Sequence, residues 1–120
     1  MISINFRDPR PIYEQVRDRF RELIISGVLP VGEKLPSVRE LAGSLTINPN
    51  TIQRAYRELE QEGYIASVPG KGSFAALPRA AVEARKAELS EKLLALVEEL
   101  KTLGMSGEEL TILIKGVDDK

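Results

Sequence analysis

The sequence predicts a mainly α fold with a small β-hairpin wing: a winged helix-turn-helix domain over residues 1–77, then a short helical region over residues 78–120. Three observations predict it. Apolar residues recur at spacings of three and four through three successive segments before Gly63, and two of those segments are joined only by "TIN". The period then shortens to two on either side of "PGKG". A short helix, a tight turn, a second helix and a hairpin, in that order, make a helix-turn-helix with a wing.

The first helix is read from "PIYEQVRDRFRELIISG". Pro11 suits a first helical position, Ile12, Val16, Phe20, Leu23 and Ile24 form one apolar stripe, and Gly27 supplies the stop. "VLPVGEKLP" holds two prolines and a glycine and is expected to be a compact loop. In "SVRELAGSL", Ser37 stands three residues before Glu40, the spacing of a reciprocal capping box, and Val38, Leu41, Ala42 and Leu45 give the inner stripe. Asn48 can cap the next helix and Pro49 fits its first turn; that helix is expected to bury Ile52, Ala55, Tyr56 and Leu59 and to end at Gly63. "YIASVPGKGSFAAL" then reads as a hairpin with a glycine-rich tip.

Beyond Pro78 the composition changes. From Arg79 to about Leu103, Val82, Leu89, Leu93, Leu96, Leu100 and Leu103 lie on a heptad seam interrupted only by Lys86. Gly104 ends that helix, and Ser106 with Glu109 forms a second capping box before a short helix carrying Leu110, Leu113 and Ile114. The tail "VDDK" is expected to fray. A lone helix cannot cover its own leucine seam, so the seam is expected to pair two copies of the chain.

Composition narrows the function. At 120 residues the chain suits one small domain with an appendage, and 42% apolar with 29% charged residues is an ordinary globular balance. With no cysteine and no histidine, there is no thiol nucleophile, no near-neutral acid/base group and no Cys/His zinc site. The carboxylates lie among lysines and arginines with no isolated pair. Neither catalysis, a metal nor a cofactor is expected. No segment resembles a signal peptide or approaches the roughly 20 apolar residues of a membrane span, and a cytoplasmic protein is expected. Residues 1–79 hold 11 Lys/Arg against 9 Asp/Glu and residues 80–120 hold 6 against 9, so the polyanion-facing surface belongs to the first part.

The second helix of a helix-turn-helix presents its N-terminal residues to base edges in the major groove. That places Asn48, Asn50, Thr51, Gln53, Arg54 and Arg57 at the DNA. Asn and Gln can donate to and accept from adenine, Arg pairs with guanine, and hydroxyls suit phosphate oxygens. Arg39 in the preceding first turn can reach a phosphate or a base, and Ser37 is a cap before it is a phosphate contact. In the wing, Gly70, Lys71 and Gly72 allow close approach to the sugar-phosphate backbone, with Lys71 carrying the charge. The bland readings are a capping Asn48, a solvated helix face, an Arg39 salt bridge and an ordinary turn.

"PIYEQV", "LPSVRELAGSLTINPNTIQRAYRELEQEGYI" and "GKGSF", in order from Pro11 to Phe74, resemble the GntR family of bacterial transcription regulators, and "LPSVRELA" with "NPNTIQRAYRELE" resembles its YtrA-like subfamily. The resemblance implies a dimeric operator-binding protein, usually a repressor and often of an ABC-transporter operon. It carries DNA contact to Arg39, Asn48, Asn50, Thr51, Gln53, Gly70 and Lys71. Two positions depart from the family pattern: Thr46 stands where glycine is common in the turn, and Pro69 where a basic or polar residue is frequent. If a small-molecule effector acts, its expected site is the dimer interface between the C-terminal helices. The rival reading is a protein-interaction module that docks a partner through its winged domain and leucine seam. A lesser one is the isolated head of a fusion regulator.

Overall fold

In the computed structural model, which describes residues 2–118, the elements are α1 (Ile12–Ser26), α2 (Val38–Leu45), α3 (Pro49–Glu62), β1 (Ile65–Val68), β2 (Gly72–Ala75), α4 (Arg79–Thr102) and α5 (Gly107–Asp118). The mainly helical class with one two-stranded hairpin is the one the sequence predicts. Contacts divide the chain into two compact units, and the break falls between Pro78 and Arg79.

The first unit closes a core around α1 and α3. Val16, Phe20, Leu23 and Ile24 of α1 meet Ile52, Ala55, Tyr56 and Leu59 of α3, and Leu41 and Ala42 of α2 complete the layer. Phe20 is wholly buried and packs edge-on against Tyr56, with ring centroids 5.6 Å apart. The Tyr56 hydroxyl donates to the Pro36 carbonyl at 2.7 Å, which ties α3 to the segment leading into α2. Burial, reinforced by the Glu40 charge, holds its pKa above the ordinary phenol value, so it remains a neutral donor. In α2 only Leu41 and Ala42 are buried; Val38 and Leu45 are half-buried because eight residues present a narrow stripe.

Three details differ from expectation. Pro11 is the cap before α1 and not its first residue: its ψ of 146° is extended, and its carbonyl accepts from the Glu14 and Gln15 amides. The hairpin pairs Ile65 with Ala75 through Val68 with Gly72, yet only Ile65 and Ala75 are buried. Its root enters the core while its tip projects beyond it, so alternation does not translate into burial. "VGEKL" is more than a loop. Leu35 N–H donates to Ser73 O, Ala75 N–H to Glu33 O and Gly32 N–H to Ala75 O, each at 2.8 Å, so this segment lines the free edge of β2 with Lys34 opposite Phe74.

The second unit is two helices and a turn. α4 buries none of its residues, and Gly104 ends the helical run in a left-handed conformation. The predicted second capping box forms: Glu109 N–H donates to Ser106 Oγ at 3.1 Å and Ser106 N–H to Glu109 Oε1 at 3.3 Å. Leu110 is buried, whereas Leu113 and Ile114 are exposed. α5 runs to Asp118, so Val117 and Asp118 are helical where fraying was expected; Asp119 and Lys120 lie outside the described residues. Among the described residues no helix is long and apolar enough to cross a membrane.

Candidate nucleic-acid interface

The candidate surface begins at the start of α2. Ser37 is extended, its Oγ accepts from Glu40 N–H at 3.1 Å, and the Glu40 carboxylate accepts from Ser37 N–H at 3.3 Å. This closed capping box fixes the first turn and leaves Arg39 exposed upon it, without an ion pair to any described residue.

The turn is set by Thr46, which adopts φ 56° and ψ 49°. Its N–H donates to Gly43 O and the Ile47 N–H to Ala42 O at 2.9 Å, the paired closure that glycine ordinarily makes at a helix end. A β-branched residue in this left-handed region is strained, so the departure visible in the sequence is a physical one. Asn48 then caps α3: its Oδ1 accepts from Asn50 N–H at 2.8 Å, and Pro49 occupies the first helical position.

At about 100° per residue, Asn50, Gln53, Arg54 and Arg57 fall within a third of the circumference of α3, opposite the buried Ile52, Ala55, Tyr56 and Leu59. All four are exposed, and Thr51 is half-buried at the flank. The helix therefore presents two amides and two guanidinium groups on one side, but the guanidinium groups are not equivalent. Arg54 Cζ lies 3.7 Å from the centroid of the Tyr13 ring and its Nε 3.6 Å from a Glu58 oxygen. Arg57 meets no described carboxylate.

The same division runs through the rest of this unit. Arg17 bonds Glu58 at 2.7 Å and Asp18 at 3.0 Å, and Arg21 bonds Glu62 at 2.6 Å, so two ion pairs clamp α1 to α3. Burial works against the Arg17 charge, yet the hydrogen bonds to Glu58 and Asp18 outweigh it and raise its pKa. Arg10 pairs with Asp8 and Asp18, and Arg19 with Glu22. By contrast Lys34, Arg39, Arg57 and Lys71 have no ion pair among the described residues. Arg10, Arg17, Arg19 and Arg21 are thus neutralised, whereas on the exposed side of α3 Arg54 is engaged and Arg57 is free of any ion pair among the described residues.

At the wing tip, Lys71 N–H donates to Val68 O at 2.9 Å across Pro69 and Gly70, and Gly70 has φ 76°. That is a turn with proline at its second position and glycine, obliged by the positive φ, at its third. Pro69 thus has a conformational reason where a polar residue was anticipated. Ala66 to Gly72 are all exposed, which leaves Lys71 at the end of a projecting arm.

The structure brings Ser37, Arg39, Asn48, Asn50, Thr51, Gln53 and Arg57 onto adjoining parts of α2, the turn and α3, and sets Gly70, Lys71 and Gly72 on the hairpin. It engages Arg54 with α1. Sequence reading missed Lys34, whose strand-like pairing comes from one bridge flanked by Gly32 and Pro36 and leaves no periodic trace, and Tyr13, the platform for Arg54. The leucine seam lies in the other unit: Leu89, Leu93, Leu96 and Leu103 are exposed, and Val82 and Leu100 half-buried. Lys86 of the seam bonds Glu83 at 3.2 Å. No cluster among the described residues could hold a metal ion.

Comparison with known proteins agrees with this arrangement. The family model described as bacterial regulatory proteins, gntR family, matches residues 12–74. The HTH-type transcriptional repressor YtrA of Bacillus subtilis is 39% identical over 98% of this chain and 92% of its own length. A transcriptional regulator from Oenococcus oeni superposes with a TM-score of 0.69 at 34% identity, covering 98% of both chains. AraR(DBD) in complex with operator ORE1 superposes with a TM-score of 0.54 at 28% identity, over 63% of this chain and 93% of that one.

Proposed function

The chain belongs to the GntR family of bacterial regulatory proteins, and we propose that it is a repressor that binds a palindromic operator as a homodimer. The observation that carries the proposal is the segregation of charge in residues 2–78. Arg10, Arg17, Arg19 and Arg21 are neutralised within the protein, while Arg39, Arg57 and Lys71 have no ion pair among the described residues, and Arg57 shares one exposed side of α3 with the amides of Asn50 and Gln53. Free cations can displace counterions from phosphates, and amides discriminate between bases.

The geometry supports the following roles. Asn50, Gln53 and Arg57 read base edges from α3, Asn48 offers its remaining amide donors, and Thr51 and Ser37 offer hydroxyls to phosphates. Arg39 and Lys71 hold the backbone from the two sides of the helix, and Gly70 and Gly72 allow the wing its close approach. Arg54 must leave Tyr13 to touch a base, so its part in recognition is smaller than its place on the helix suggests. The relative bound to operator supports the DNA assignment, since it shares the fold of this unit. The homodimer rests on the α4 seam of Val82, Leu89, Leu93, Leu96, Leu100 and Leu103, whose spacing alternates between four and three from Leu89 onward and is complementary to a second copy of itself. A two-fold dimer carries two reading heads, which is what an inverted repeat requires. By the same reading, if a small-molecule effector exists its site is the interface between C-terminal helices, and the operon to test first is one encoding a transporter.

Fluorescence anisotropy on operator and scrambled duplexes tests the reading. Asn50→Ala is expected to weaken operator binding and leave scrambled binding unchanged. Equal losses on both duplexes would remove Asn50 from base readout.

A further inference from the structure

The charge that the sequence assigns to the wing is Lys71 alone, but the structure brings a second cation to it. The segment Gly32–Leu35 pairs with β2 through three backbone hydrogen bonds, and Lys34 stands directly opposite Phe74. Across an antiparallel pair, the residue two positions along the partner strand shares the same face, and here that residue is Gly72. The side chain follows this geometry. A Cβ built on Gly72 would stand 2.8 Å from Lys34 Cε and 3.6 Å from its Nζ, so the lysine stem lies across the bare glycine backbone. Gly72 itself has φ 122°, which only glycine adopts readily.

Two further observations point the ammonium outward to a ligand. Lys34 is exposed and has neither an ion pair nor a side-chain hydrogen bond among the described residues. Its neighbour Glu33, the nearest carboxylate in sequence, is consecutive in an extended segment and so faces the other way. An unpaired ammonium whose stem is seated on the wing, at the residue next to Lys71, is arranged to meet an anion that the wing approaches.

We infer that Lys34, seated on Gly72, is a second phosphate-binding cation of the wing, acting with Lys71 on the DNA backbone. The inference rests on the DNA-reading function proposed above. Gly72 thereby acquires a specific role, because the absence of a side chain there both permits the backbone conformation and leaves room for the lysine. Phosphate contacts position a protein without reading sequence, so Lys34 acts on every duplex alike.

The test is the slope of log affinity against log salt for the full chain on operator and on scrambled duplex, with Lys34→Gln, Lys71→Gln, Arg39→Gln and Lys115→Gln compared. Glutamine keeps most of the stem and removes the charge. Lys115 on α5 controls for net charge alone. Each phosphate contact contributes about 0.9 to the slope. A dimer loses one such contact from each head, so Lys34→Gln is expected to flatten the slope by about 1.8 on operator, as Lys71→Gln does, and to flatten it on scrambled duplex too, with thermal unfolding unchanged and Lys115→Gln without effect. A slope unchanged by Lys34→Gln while Lys71→Gln or Arg39→Gln flattens it would overturn the inference and leave the DNA-reading function standing. Equal flattening by Lys115→Gln would also overturn it, by assigning the effect to bulk charge. Salt-independent binding by the unsubstituted protein would overturn the DNA-reading function and this inference with it.

Discussion

Residues 2–78 and residues 79–118 draw on the same apolar residues, yet the two regions place them oppositely. In the first, α1, α2 and α3 turn Val16, Phe20, Leu23, Leu41, Ile52 and Leu59 inward until little water reaches them. In the second, Leu110 is the one buried apolar residue among those described, and Leu93, Leu96, Leu103 and Ile112 lie more than half exposed. Hydrophobic content therefore does not by itself make a core. The first region has three helices crossing one another. The second has two helices whose apolar side chains exceed what a helix and a turn can cover.

That contrast is most vulnerable at the seam. Replacing both Leu93 and Leu96 with Asp removes four leucines from the interface of a dimer; at about 1.5–3 kcal/mol for each buried leucine, association is lost at micromolar concentration. Analytical ultracentrifugation checks this, with a monomer expected for the variant and a dimer for the parent, and with the helical signal of residues 2–78 retained. The next effect is in the core. Phe20→Ala is expected to cost about 3–5 kcal/mol in urea unfolding, because the ring is fully enclosed and edge-packed on Tyr56. An effect of equal size from Val117→Ala, which is 71% exposed and off the seam, would erase the distinction between the regions.

Smaller effects separate core from reading surface within the first region. Asn50→Ala is expected to lower operator affinity by about 1–3 kcal/mol while leaving unfolding unchanged, since its side chain is solvated in the free protein. Thr46→Gly works in the opposite direction. It relieves a left-handed threonine and is expected to raise stability by about 1 kcal/mol, read as a higher urea midpoint at constant slope. A lower midpoint would mean that Thr46 is not strained as its backbone angles indicate.

The parts legible in the sequence were those with local causes. Ser37 with Glu40, Ser106 with Glu109, Asn48 with Pro49 and the glycines at 63 and 104 each act within a turn, and the structure shows each doing what its chemistry requires. The stripe of α3 was legible for the same reason, because helical periodicity alone separates Ile52 and Leu59 from Asn50 and Arg57. What was not legible depends on residues far apart in the chain. Arg54 is drawn back by Tyr13, 41 positions earlier, and Lys34 reaches the wing through a bridge to Phe74 across 40. The strain at Thr46 was visible only as a departure from a family habit, since the sequence does not state a φ angle.

The decisive measurement for an operator-reading dimer is selection from random genomic fragments by the purified protein, with the retained DNA sequenced at low and at raised salt. An enriched inverted repeat is expected, held less firmly as salt rises, because two reading heads each neutralise phosphates through Arg39, Lys71 and their neighbours. Fragments no different from bulk DNA, with retention indifferent to salt, would contradict it and leave the winged domain and the leucine seam as surfaces for a protein partner.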